Sequence, residues 1–304
     1  MINIISSCSN SKTQTPNDLL KIESFNKSMD LEDIIKFWNN NTKKQGETTY
    51  KVSELYKGTS WNASLNTKMK LLTKYKTELY IASAGYGLIH SEDEILPYNS
   101  TFASSTSNSI SKFQNNSKIN ANTRWWNAIN TFSFSSSTDE SYFFVILPHN
   151  YLLASQDTIE NLISIFGNQV FIFIANNHSL PEFMKNNIIK FDSRFNNFQS
   201  GVISNMLQRA VLWLSNEIII KDIPLCHASL QNHIEQEMSK YQTFVMPIRT
   251  KLSEEELYEK IKLMIQKENI QSASKGLKTF REMGYACEQK RFGKIFKEIK
   301  GGLI

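Results

Sequence analysis

The sequence predicts an α/β fold, a mostly parallel sheet flanked by helices, followed by a small C-terminal helical unit. Three observations predict it. Short runs that are apolar at nearly every position recur, as in Tyr142 to Leu147 (YFFVIL) and Gln169 to Ala175 (QVFIFIA), and such runs are strands buried on both faces. Between them lie segments with apolar residues three and four apart, the spacing of amphipathic helices, so helices and strands alternate. From Leu225 onward the strand-like runs stop and helical spacing alone remains.

In chain order, Met1 to Ser6 reads as the first strand and opens into the polar run SSCSNSK, Ser6 to Lys12. Asp30 to Trp38 is helical, with Leu31, Ile34, Ile35 and Trp38 on one face, and Trp61 to Tyr75 is a second helix through Leu65, Met69, Leu71 and Leu72. Leu79 to Ala82 is a buried strand running into Ser83-Ala84-Gly85-Tyr86-Gly87-Leu88. YFFVIL and QVFIFIA supply two more strands and Ile188 to Phe191 a fifth, with helices at Trp125 to Phe132, Asp157 to Phe166 and Gln199 to Trp213. Helices at Ala228 to Tyr241, Ser253 to Lys267, Ser272 to Met283 and Cys287 to Ile299 complete the chain, and Gly284 suits the end of the third. The expected division is a core at 1–244 and a basic helical unit at 245–304.

From Asn99 to Asn122, fifteen of 24 residues are Ser, Thr or Asn. A stretch so polar and long is expected either to stay a mobile surface loop or to close over a ligand.

The 304 residues suffice for one large domain or a main domain with a smaller companion, and 40% hydrophobic content excludes a disordered chain. No apolar run approaches the ~18 residues of a membrane-spanning helix, and the start lacks the basic leader of a signal peptide. Cys8, Cys226 and Cys287 are odd in number and far apart, which fits neither a disulfide framework nor a zinc site. A protein of the reducing cytoplasm is expected, without metal or cofactor. From Gln271 to Ile304 there are eight Lys/Arg and three acids, and this excess accounts for the whole chain's net charge of +5. A basic segment on a neutral body points to contact with phosphates; the alternative is a solvated helix face.

In parallel α/β sheets, ligands sit beyond the carboxyl ends of the strands. Three such ends carry candidate residues: Ser7, Cys8, Ser9 and Lys12; Ser83, Gly85, Tyr86 and Gly87; His149 and Asn150. Hydroxyls and backbone N–H groups in the first turn suit an anion, with Lys12 to neutralise it; a plain polar turn is the alternative. Cys8 would be a nucleophile only with a base beside it. The glycines around Tyr86 imply a sharp bend, and Tyr86 is placed to stack on a base. Asp93 follows soon after, a carboxylate able to activate water or stabilise a sugar cation; three acids in a row also read as a solvated turn. His149 is either an active-site group or a turn histidine, Arg194 either a phosphate ligand or half of a structural ion pair, and Arg124-Trp125-Trp126 either a stacking surface or core anchors. In the tail, Leu277, Phe280 and Met283 form one buried face and Phe292, Ile295 and Phe296 another. Lys275, Lys278, Lys290, Arg291 and Lys294 then point outward, as in a helix-turn-helix-like DNA module or a solvated packing element.

Ser9 to Lys12 together with SAGYGLIHSEDEILPY, Ser83 to Tyr98, resembles the paired motifs of the YaaA peroxide-stress family. The match carries Ser83, Tyr86, Gly87, Leu88, Asp93, Ile95, Pro97 and Tyr98, and departs at Asn99, where the family has arginine. CSNSK, Cys8 to Lys12, is similar to the turn of the uracil-glycosylase-like domain in archaeal tRNA-guanine transglycosylases. These resemblances imply nucleic-acid handling on an α/β core and extend to bacterial anti-phage DNA glycosylases. They single out Asp93 among the neighbouring acids. The expected activity is removal of a modified base, such as glucosylated hydroxymethylcytosine, from double-stranded DNA, with Asp93, Tyr86 and Lys12 catalytic. The alternatives are a non-catalytic DNA-binding stress protein and a base-exchanging transglycosylase.

Overall fold

The computed structural model describes residues 1–44, 46–135, 140–175, 179–268 and 270–301. They form two compact units, Met1–Phe244 and Val245–Ile304.

The strands of the larger unit are β1 (Ile2–Ser7), β2 (Tyr50–Lys51), β3 (Thr77–Ser83), β4 (Gly87–His90), β5 (Glu94–Ile95), β6 (Tyr142–Ile146), β7 (Val170–Ile174) and β8 (Ile188–Lys190). Its helices are α1 (Leu31–Thr42), α2 (Val52–Leu55), α3 (Thr59–Leu71), α4 (Ala121–Ile129), α5 (His149–Ala154), α6 (Gln156–Phe166), α7 (Arg194–Phe198), α8 (Met206–Lys221) and α9 (His227–Met238). Six strands make the central sheet, in the order β4-β3-β1-β6-β7-β8, while β2 and β5 form a small antiparallel pair of their own. β1 lies between β3 and β6 and is parallel to both, with Ser7 opposite Ala82 and Ser6 opposite Ile146. The chain leaves β1 for β3 on one side and later returns to β6 on the other. The switch point of the sheet therefore falls between β1 and β6, the place where sheets of this kind hold their ligands.

Both faces of the sheet are covered, since β7 buries every residue and β6 all but Tyr142. Each fully buried Ile or Phe contributes about 1.5–3 kcal/mol, so this apolar pattern drives the assembly. α1 starts where the Asp30 side chain accepts a hydrogen bond from the Glu32 N–H, and it buries Leu31, Ile34, Ile35 and Trp38. α3 and α8 pack together, and the Ser64 hydroxyl of α3 meets that of Ser6 at 2.7 Å.

Several features differ from expectation, among them that the helix expected from Gln199 to Trp213 runs Met206–Lys221, and that the smaller unit carries two short strands. Gly87–His90, read as part of a bend, is an antiparallel edge strand, with Gly87 opposite Ser83 and His90 opposite Tyr80. Gly87 has φ +75°, and a Cβ there would stand 2.5 Å from Asn130 Cα, so only glycine closes this hairpin. The polar stretch from Asn99 to Asn122 is packed rather than loose. Phe102, Ile110 and Phe113 anchor it in the core, and hydrogen bonds tie its polar groups down: the Thr101 N–H reaches Asn108 O at 3.0 Å, and the Ser100 hydroxyl reaches Ala84 O at 3.0 Å, although Asn122 Oδ1 is buried without a partner among the described residues. Burying Ser and Thr costs little once each finds such an acceptor.

The smaller unit holds β9 (Thr250–Lys251), α10 (Glu254–Glu268), α11 (Ala273–Glu282), β10 (Tyr285–Ala286) and α12 (Gln289–Gly301), with β9 and β10 paired in parallel. Its own core joins Leu257, Ile261, Phe280, Phe292 and Ile299. Met283 is half exposed instead of buried, because α11 ends at Glu282 and Gly284 turns the chain away with φ +87°. Among the described residues, no helix is long and apolar enough to cross a membrane, and no group of three His, Cys, Asp or Glu could hold a metal ion.

Candidate functional site

The turn after β1 is held against the segment that precedes α3. Thr13 N–H donates to Leu55 O at 2.8 Å, and Lys57 N–H to Ser11 O at 3.0 Å. The Ser9 hydroxyl donates to Lys57 O at 2.7 Å and accepts from the Ser11 N–H at 3.1 Å, so Ser9 shapes the turn from within. This clamp aims the Lys12 side chain inward. Its ammonium lies 4.0 Å from the centroid of the Tyr98 ring and 5.4 Å from that of Tyr56, and it donates to Ser9 O at 3.3 Å. Burial pushes its pKa below the ordinary lysine value, opposed in part by the neighbouring Cys8 thiol. Among the described residues, no carboxylate forms an ion pair with Lys12.

The second motif supplies the floor. The Ser83 hydroxyl ends β3 and donates to Tyr98 Oη at 2.8 Å, while accepting from the N–H groups of Gly85 and Tyr86, each at 3.2 Å. Tyr98 Oη also meets Tyr56 Oη at 2.8 Å. Burial raises the pKa of both phenols well above the ordinary value, so they remain neutral. Gly85 is required by close approach: a Cβ there would stand 2.5 Å from the Tyr98 ring. Two tryptophans brace the bend from behind, Trp38 donating to Gly85 O and Trp125 to Ala84 O, both at 2.8 Å.

Across the switch point, Cys8 Sγ meets Tyr151 Oη at 3.2 Å. That contact links the end of β1 to α5, which opens with His149 and Asn150, both half-buried. Ser7 closes β1 beside them. The three strand ends therefore converge, and Lys12, Cys8, Ser83, Tyr98 and Tyr151 share one neighbourhood. Tyr151 closes the third strand end, Pro148-His149-Asn150-Tyr151, whose polar residues the sequence places at the site. Tyr56 belongs to the site without a motif to mark it, since it sits between α2 and α3.

Several expected residues take other places. β4 runs away from the crevice, and Asp93 lies three residues past its end, exposed, so β4 alone separates it from the Ser83 end by roughly 10 Å. Its carboxylate accepts from the His90 N–H at 2.8 Å and its backbone carbonyl from Val52 N–H at 2.9 Å, a turn-forming role. The structure does not bring Asp93 to Lys12. The Tyr86 hydroxyl is committed to both backbone groups of Leu96, at 3.1 Å each, and its ring stands edge-on to Tyr98 with centroids 5.4 Å apart. This leaves Tyr86 a wall of the site, with no hydroxyl free for chemistry. Arg194 pairs with Asp192 at 2.7 Å and Glu235 at 2.8 Å, which makes it a structural ion pair instead of a phosphate ligand. Trp125 and Trp126 are fully buried anchors, and Arg124 is paired with Glu32.

In the smaller unit the expected cations divide. Arg291 and Lys294 line a hollow of about 540 Å³ together with Glu254, Glu255, Glu259 and Glu298, and Arg291 is ion-paired to Glu254. Lys278 lines a different hollow, of about 340 Å³, with Arg249 and Arg281, and it forms an ion pair at 3.9 Å with Glu282, the single acid there. Lys275 and Lys290 are exposed, and among the described residues neither has an ion-pair partner. Arg249 escaped notice in the sequence because it stands alone, away from the basic run.

Neither protein-family models nor curated proteins give a match to this chain.

Proposed function

We propose that the larger unit cleaves the N-glycosidic bond of a modified base in DNA and leaves an abasic site, an activity suited to defence against phage DNA that carries bases such as glucosylated hydroxymethylcytosine. The observation that carries this reading is the meeting of the two resembling motifs, distant in sequence, at 4.0 Å between the Lys12 ammonium and the Tyr98 ring. N-glycoside cleavage needs a proton for the departing base and tolerance of a developing sugar cation. A lysine whose pKa is lowered by burial suits both: it is a better acid than a solvated lysine, and once it has given up its proton it no longer repels the cation. Water then adds at C1′, and the proton it sheds passes to solvent. The neutral Tyr56–Tyr98–Ser83 network holds the ring beneath Lys12, and Ser7, Cys8, His149 and Asn150 border the space where the extruded nucleotide would lie. The smaller unit would hold the duplex through Arg249, Lys275, Lys278 and Lys290, adding salt-dependent affinity. Mass spectrometry of bases freed from a panel of modified DNAs tests the reading; release of at least one base is expected, and release of none overturns it.

A second reading, a DNA-binding protein without catalysis, is favoured by the basic hollow around Arg249, Lys278 and Arg281. It requires salt-sensitive binding to plain duplex with no product from any base.

A further inference from the structure

The surroundings of the Lys12 amine suit a covalent role beyond proton donation. Its nitrogen rests on a backbone carbonyl, Ser9 O at 3.3 Å, and on the face of Tyr98 at 4.0 Å, and among the described residues no carboxylate ion pair holds it charged. Loss of the proton therefore leaves no buried anion unpaired. The tyrosine hydroxyls beneath are bonded to one another and to Ser83, so they leave the amine free to react. The side chain is half-buried at the carboxyl end of β1, so it is not sealed within the core. A desolvated, unpaired lysine is the form of this residue that attacks carbonyls.

We propose that Lys12 captures the abasic deoxyribose as an imine. The neutral amine adds to the C1′ aldehyde of the ring-opened sugar to give a carbinolamine. The carbinolamine loses its hydroxyl and the remaining nitrogen proton as water, leaving a C1′=Nζ double bond. No oxidant or reductant is involved, and addition of water reverses the step. This inference rests on the glycosylase reading for where the sugar sits, and it gives the protein a means of retaining a toxic, strand-weakening product. In the reaction order, the amine that has just protonated the leaving base is already neutral when the aldehyde appears.

The experiment uses the full chain and a duplex oligonucleotide in which one abasic site has been made beforehand by removal of uracil, with sodium cyanoborohydride present to reduce any imine to a stable amine. A protein–DNA adduct on a denaturing gel is expected, mapping by peptide mass spectrometry to Lys12 and lost in Lys12→Arg. No adduct, or an adduct confined to surface lysines such as Lys275, overturns the proposal. The mapping on the unaltered chain decides the matter whether or not Lys12→Arg folds. Because the abasic site is preformed, the outcome is independent of base release: release without trapping overturns the imine alone, and trapping without release overturns the glycosylase reading alone.

Discussion

Lys12 and Tyr98 stand face to face, the ammonium 4.0 Å from the ring centroid, and the Tyr98 hydroxyl on the same ring is shared between Tyr56 and Ser83 at 2.8 Å each. One side chain thus joins the turn after β1, the segment before α3 and the end of β3. The order of the crevice depends on that junction more than on any charged pair.

Tyr98→Phe keeps the ring under Lys12 but leaves the Ser83 and Tyr56 hydroxyls without their shared partner. A buried polar group stripped of its partner costs about 1–3 kcal/mol. Urea denaturation should show a loss of that size, with base release weakened but retained because the cation–π contact survives.

The pH dependence follows from the lowered pKa of Lys12. As the acid, Lys12 must be protonated, so base release should fall as pH rises through a value below the ordinary 10.5. Stability moves the other way. Between the lowered folded pKa and the unfolded one, the unfolded chain binds the extra proton, so folding gains stability as pH rises across that window. The destabilisation is fully present below the folded pKa and is relieved near the unfolded value. Lys12→Met should flatten this gain in a series of denaturation curves at increasing pH.

Asp93→Asn should leave base release unchanged and shift stability by no more than about 0.5 kcal/mol, since an amide oxygen can still accept from His90 N–H in an exposed turn. A large rate loss would restore Asp93 to the chemistry.

In the smaller unit, Lys275→Gln and Lys290→Gln, at exposed lysines without an ion-pair partner among the described residues, should each reduce the slope of log affinity against log salt by about 1 on plain duplex, the effect of losing one phosphate contact. Arg291→Gln should change that slope little, because its guanidinium is already paired with Glu254. Fluorescence anisotropy at several salt concentrations separates the three variants.

Much of this architecture is written in hydrophobic pattern, and the parts that escaped it have physical causes. YFFVIL and QVFIFIA are apolar nearly throughout because both sheet faces are covered, and they are β6 and β7 with their ends displaced by a residue or so. β4 is hidden in the sequence because its four residues, Gly87–His90, begin with the last glycine of Gly-Tyr-Gly and look like the tail of a bend, although two apolar runs joined by a short glycine-bearing link are a hairpin pattern. The stretch from Asn99 to Asn122 looked too polar to pack, since composition does not show that Ser100 and Asn108 would find acceptors at Ala84 and Asn99. At the site, Lys12, Ser83 and Tyr98 could be read from their motifs, whereas the distance of Asp93 depended on the unseen direction of β4. Tyr56 becomes visible only through its hydroxyl contact with Tyr98, while Tyr151 lies in a strand end marked by the sequence and gains its partner, Cys8, from the pairing of β1 with β6.

The central claim is that Lys12 carries base release in the crevice between β1 and β6. Its most direct test compares the unaltered chain with Lys12→Met on DNA containing glucosylated hydroxymethylcytosine, measuring the freed base by mass spectrometry after circular dichroism has shown both to be folded. The account predicts release by the former and its loss in the latter; equal release by both, or none by either, would contradict it.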